Sequence, residues 1–130
     1  IGAKRNLVIG EHLLEAELLR KYGENVEIFA GSELTLVKQI NSFFNAQIIV
    51  GVHGAALSNI IFSQRNSYLL ELPLSPFDEG LYFKLLCAAL GIKYTPFKIA
   101  SSRYLGTLVI NTKLLFALTY AIDEIAYKKL

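Results

Sequence analysis

The chain has 130 residues, 53% of them hydrophobic, with 13 basic and 11 acidic side chains for a net charge of +2. This fits one compact domain with a real core, slightly richer in apolar residues than the roughly 45–50% of ordinary soluble proteins. The balanced charge and scattered basic residues argue against a nucleic-acid surface, the single cysteine excludes an internal disulfide or a Cys-based zinc site, and no apolar run approaches the roughly 18–20 residues of a membrane span.

Leu7-Val8-Ile9 is less than a full strand. The chain starts at Ile1 without a Met or a targeting motif, so it reads as a piece of a larger protein. Glu11 to Tyr22 is a predicted helix, with Leu14, Leu18 and Leu19 at helical spacing and Gly23 as its C-cap. Val26 to Ala30 reads as a strand. Ser32 is placed to cap a helix from Glu33 to Phe44 whose apolar face is Leu36, Val37, Ile40, Phe43 and Phe44. Gln47 to Val52 is the central strand, its longest apolar stretch interrupted only by Gln47 and Gly51. A short helix, Ala55 to Phe62, follows.

Gln64 to Ser67 is a predicted turn, and Tyr68 to Leu72 a strand. Pro73 and Pro76 bound a loop, and Asp78-Glu79 suit the N-terminus of a helix running from Phe77 to Leu90, stopped at Gly91. In that helix Cys87 reads as a buried, inert thiol. Tyr94 to Ile99 is the next strand, with Pro96 arguing for a sheet edge. Ser101 to Asn111 is mostly loop, and Asn111 or Thr112 caps a final helix through Tyr127 with Leu115, Leu118, Ile122 and Ile125 on one face. Alternating strands and helices imply parallel pairing with right-handed crossovers. The expected fold is α/β: one Rossmann-like domain over 1–130, a parallel sheet of four or five strands with helices on both faces.

The chemistry concentrates in Val52-His53-Gly54-Ala55-Ala56-Leu57-Ser58-Asn59. A buried strand delivers an imidazole and a small-residue turn to the sheet edge where a helix begins. In open α/β sheets ligands bind at that edge, and unpaired helix N–H groups favour an anion there. His53 is either a ligand-facing donor or a satisfied buried histidine. Gly54, Ala55 and Ala56 give a phosphate room to approach backbone N–H groups, or they serve a turn needing positive φ at Gly54 and close packing. Ser58 and Asn59 add polar contacts or local caps. Glu71, among Leu69, Leu70 and Leu72, needs partners, because a buried lone carboxylate costs several kcal/mol. A basic side chain or a ligand diol would serve, as would a solvent-facing pleat. Arg103 follows a strand at the same edge and has the fork to bind phosphate, or it is simply a polar loop residue. Arg65 precedes its strand, so it falls at the opposite edge and reads as solvated. His12 reads as exposed. No Asp-x-Asp or other metal constellation is evident.

The run Val52 to Phe62, followed by Leu70-Glu71-Leu72-Pro73, resembles glycosyltransferase family 61, whose members show His-Gly-Ala-(Gly/Ala)-Leu-(Thr/Ser)-Asn and then a strand ending in Glu-Leu or Glu-Ile. Glu33-Leu34 through Gln39-Ile40, with Ala46 before the strand, also follows the family's spacing. The likeness extends over about Arg5 to Pro73. It departs at Ala56, where Gly is more usual, and near the start, where Gly10 stands in place of Asn after Lys4-Arg5, so no role is carried over to Arg5.

The resemblance implies a GT-B enzyme with two Rossmann-like domains, an inverting mechanism and a nucleotide-sugar donor, often UDP-linked. This chain would be the C-terminal, donor-binding half, inactive alone and partnered by an N-terminal acceptor domain. His53 would meet the donor diphosphate or the reacting sugar, the turn from Gly54 through Asn59 the diphosphate, and Glu71 the ribose. The acceptor would be a glycan or glycoconjugate; no cofactor is expected, the nucleotide sugar being a substrate, and a divalent-metal site is not evident from the residues. The compartment would be the cytoplasm or the cytoplasmic membrane face for a bacterial member, and the ER or Golgi lumen for a eukaryotic one. Two other readings stand beside this: a non-catalytic nucleotide- or anion-binding Rossmann-like module, and an assembly domain with Phe77, Tyr82 and Phe83 as an interface.

Overall fold

A computed structural model describes residues 8–9, 11–72, 81–97, 103–104, 107–109 and 111–128. The elements are β1 (Val8–Ile9), α1 (Glu11–Tyr22), α2 (Leu36–Asn45), β2 (Ile48–Val52), β3 (Tyr68–Leu72), α3 (Leu81–Leu90), β4 (Lys93–Pro96), β5 (Arg103–Tyr104), β6 (Thr107–Val109) and α4 (Thr112–Lys128). Short 3₁₀ turns cover Gly23–Asn25 and Gly31–Glu33, and a longer 3₁₀ helix covers Ala55–Phe62. The architecture is α/β, with a parallel three-stranded sheet flanked by helices. The loop expected at Pro73 and Pro76, the pair Asp78-Glu79 and Phe77 lie outside the described residues.

The contacts divide the chain into two compact units. The first holds the sheet β2-β3-β4, parallel throughout. The register pairs Gly51 with Glu71 and Glu71 with Pro96. Because side chains alternate across a strand, Ile49, Gly51, Leu69, Glu71, Tyr94 and Pro96 share one face. That face carries the core cluster of Phe43, Ile49, Leu57, Ile60, Leu69, Phe83, Cys87 and Ile92. Leu70 and Leu72, on the opposite face, are buried as well, which accounts for the continuous apolar reading of this strand. Pro96 ends the edge strand β4, where its missing N–H breaks no ladder.

The second unit pairs β1 parallel to β6 and β6 antiparallel to β5. The expected loop from Ser101 to Asn111 therefore contains two short strands. Asn111 caps α4, its Oδ1 accepting from Leu114 N at 2.9 Å. Leu115, Leu118 and Ile122 are buried, as expected. In the same unit Asp123 accepts from Lys21 and from the Tyr22 hydroxyl, the latter at 2.7 Å. The Lys21 and Tyr22 hydrogen bonds hold the Asp123 carboxyl below its ordinary 3.8. A depressed carboxyl stabilises the fold above its unfolded value and loses that contribution as pH falls through the folded value. Asp123→Asn is therefore expected to lower stability at pH 7 by no more than about 1 kcal/mol, the scale of an exposed ion pair. Thermal unfolding should show the difference from wild type closing below about pH 4.

Three expectations are corrected. Val26 to Ala30 is not a strand: Val26 N–H is taken by Gly23 O, Ala30 O accepts from Glu33 N, and Phe29 instead packs edge-on against Phe43, centroids 5.1 Å apart. The alternation reported the burial of a side chain, not a ladder. The second helix begins at Leu36, capped by Thr35 rather than Ser32, with Thr35 Oγ1 accepting from Lys38 N at 3.3 Å. Of its expected apolar face only Phe43 is buried; Leu36, Val37 and Phe44 are exposed. The segment after β2 is a 3₁₀ helix, long for that type. With three residues per turn, Leu57 and Ile60 eclipse each other, and both are buried.

Candidate functional site

The site is built at the C-terminal end of β2. His53 extends the ladder by one residue, its N–H donating to Leu72 O at 2.9 Å. Its side chain therefore shares the face of Gly51 and Glu71. Gly51 leaves room there for Leu57: a Cβ would come within 2.5 Å of Leu57 Cδ2, so that side chain would have to move. The absent side chain opposite Glu71 is the space through which Leu57 anchors the 3₁₀ helix to the sheet.

Glu71 is wholly buried, with 0% exposure. One carboxylate oxygen, Oε2, lies 2.8 Å from His53 Nδ1, and the other, Oε1, accepts from the Tyr94 hydroxyl at 2.5 Å. The two atoms are at hydrogen-bond distance, and with Glu71 as the carboxylate, which only accepts, Nδ1 is the donor. Phe83 supports the ring from the side, centroids 5.3 Å apart and the planes at 72°. The His53 side chain remains 33% exposed, so the imidazole spans from a buried anchor to the surface. Glu71 also reaches Cys87: burial first, then the Glu71 charge, pushes that thiol up to about 11. Cys87 is an inert core residue, as expected.

His53 and Glu71 thus meet at one end of the sheet, as the sequence pattern anticipates, but in a different relation. The ribose contact expected of Glu71 is not on offer here, because no surface of the carboxylate is exposed and both oxygens are engaged. Its burial cost is offset by protein donors, neither of them Lys or Arg. Gly54 has φ 172° and ψ 172°, an extended conformation open to any residue, so the turn does not use the positive φ expected of this glycine. The first N–H groups of the following helix have no acceptor within it. Ala55 is exposed, and Ala56 and Ser58 are half-buried. Asn59 turns toward the scaffold: its Nδ2 donates to Gln39 Oε1 at 3.3 Å, and Gln39 Nε2 donates to Gly31 O and Leu34 O.

Arg65 lies beside Gly91, its Cζ 3.0 Å from where a Cβ would sit. Those residues precede β3 and β4, so Arg65 is at the edge opposite His53, as expected. His12 is exposed, as expected. Arg103 lies on β5 in the other unit rather than in a loop. The aromatic interface is corrected at Phe83, which is buried beneath His53, while Tyr82 is exposed. The sequence reading missed Tyr94 and the orienting role of Phe83. Only the β3–β4 register, with Leu69 opposite Tyr94, reveals that Tyr94 is diagonal to Glu71 on one face.

No described helix is long and apolar enough to cross a membrane. No solved structure matches the chain. It is similar to a β-1,2-xylosyltransferase of Arabidopsis thaliana, 28% identical over 93 residues, which is 72% of this chain and 17% of that protein. The chain therefore matches less than a fifth of the length of this curated relative. The family model described as Glycosyltransferase 61 matches residues 2–70, more than half of the chain and including the whole of β2, His53 and the turn after it. The His-Gly-Ala segment and this match lead to one assignment: the chain belongs to glycosyltransferase family 61.

Proposed function

We propose that this chain is the donor-binding part of an inverting glycosyltransferase that uses a UDP-sugar, with its acceptor, a glycan or glycoconjugate, held by a further domain of the same protein. The observation that carries this reading is the anchored imidazole of His53. It stands at the C-terminal end of a parallel strand, immediately before a small-residue turn and a helix start. Similarity to a β-1,2-xylosyltransferase favours a pentose donor such as UDP-xylose.

The chemistry follows from the leaving group. As the bond between the sugar's anomeric carbon and the diphosphate oxygen breaks, its electron pair stays on that oxygen and negative charge gathers on the diphosphate. The acceptor hydroxyl oxygen forms the new bond from the opposite side and gives up its proton to a base carried by the domain that holds the acceptor. A pre-positioned donor acts where charge develops. With Nδ1–H committed to Glu71, the imidazolium's second N–H is at Nε2, and that group meets a diphosphate oxygen. The turn N–H groups at Gly54 to Ala56 contribute further donors.

UDP titrated into isotopically labelled protein should shift the amide signals of Gly54 to Asn59 more than those of the Arg65 and Gly91 edge. Saturable shifts confined to the Arg65 edge, or none, would refute a donor site at His53.

A further inference from the structure

Glu71 has no exposed surface with which to touch a donor, yet it and Tyr94 are linked to His53 through a chain of hydrogen bonds. We infer that they are positioning residues: Glu71, itself held by Tyr94, keeps a proton on Nδ1, so that Nε2 is the nitrogen turned to the donor and carries the donating N–H when the ring holds its second proton. The inference rests on the proposed donor site at His53.

Four observations converge on it. The carboxylate has no exposed surface, so its effect outside the core is transmitted through the ring it touches. Its two oxygens divide between Nδ1 at 2.8 Å and the Tyr94 hydroxyl at 2.5 Å, so rotation of the carboxylate toward one partner breaks the bond to the other. Phe83 stands edge-on to the imidazole, restricting its swing about the Cβ–Cγ bond. The backbone on both sides is held, His53 N–H by Leu72 O at 2.9 Å and Glu71 O by Phe97 N–H at 2.8 Å. A carboxylate on one ring nitrogen determines which nitrogen presents its lone pair or its second proton to a ligand. A Gln at 71 fills the same space but offers a donor as well as an acceptor, so Nδ1–H is no longer obligatory.

The experiment compares wild type, Glu71→Gln, Tyr94→Phe, His53→Ala and the double variant His53→Ala/Glu71→Gln in the full-length protein that contains this chain and its acceptor domain. Long-range ¹H–¹⁵N spectra of the imidazole, recorded across a pH titration, read the tautomer of the neutral ring. Release of UDP from UDP-xylose reads chemistry, and UDP titration reads binding. Wild type should show Nδ1–H. Glu71→Gln should show a mixture with Nε2–H and lose at least about tenfold in rate, with UDP affinity changed by less than about threefold. Tyr94→Phe should lose about threefold or more in rate. The double variant should be no slower than His53→Ala, as expected of groups acting as one unit.

An unchanged tautomer in Glu71→Gln, or an equal further loss when it is added to His53→Ala, overturns the inference. If Glu71→Gln does not fold, Tyr94→Phe decides: wild-type rate and tautomer populations in that variant overturn it. Wild-type UDP release by His53→Ala would instead refute the donor site itself, while the tautomer spectra still report whether Glu71 orients the ring.

Discussion

His53→Ala is expected to reduce sugar transfer by about 100- to 1,000-fold, the scale on which loss of a single pre-positioned transition-state donor is felt. The substitution leaves the strand intact, because the His53 backbone N–H, not its side chain, bonds Leu72 O. Its stability cost comes from Glu71, whose Oε2 loses its ring partner inside the core. A His53→Gln control retains a donor of similar reach but cannot become an imidazolium, and it should recover part of the rate. The check is initial-rate kinetics of the full enzyme with UDP-xylose, alongside UDP affinity. A loss in kcat with binding largely kept is the signature of a contact strengthened in the transition state. Full activity in His53→Ala would remove the imidazole from the reaction.

The second large effect is on stability. Phe83→Ala should cost about 3–5 kcal/mol, the usual range for truncating a buried aromatic ring. Phe83 is 2% exposed and belongs to the cluster with Leu57, Ile60, Leu69 and Cys87. It is also edge-on to both His53 and the exposed Tyr82. Phe83→Leu keeps most of the apolar volume and should cost clearly less, but it removes the ring edge that steadies the imidazole. Urea unfolding of the two variants separates core volume from orientation. Phe83→Leu should be nearly as stable as wild type yet slower in UDP release, and equal stability for Phe83→Ala and wild type would contradict this packing.

Much of this arrangement was legible beforehand where local rules suffice. The helix Glu11–Tyr22 and the strand Tyr68–Leu72 fall at their predicted bounds, because a helical period bounded by Gly, and an apolar run bounded by a turn, are encoded within each segment. The same holds for Pro96 at a sheet edge, since a missing N–H is a property of one residue. Local rules failed where a neighbour in space decided. Val26 to Ala30 had a strand's residues but joins neither of the described sheets. Ser101 to Asn111 had loop residues yet found β1 beside it. Leu36, Val37 and Phe44 sit on a helical stripe that the described structure leaves exposed.

The functional end divides along the same line. The residues alone determined that an imidazole and a small-residue turn end a buried strand, since His-Gly-Ala after Ile48–Val52 is continuous in sequence. They also required that Glu71 have partners, because a carboxylate in an apolar strand cannot stand alone. Which partners it has was decided by pairing register. Gly51 opposite Glu71, and Leu69 opposite Tyr94, place His53, Glu71 and Tyr94 on one face, though 18 and 23 residues separate them in sequence. Hydrogen bonds over such separations depend on how strands align, and no single segment carries that information.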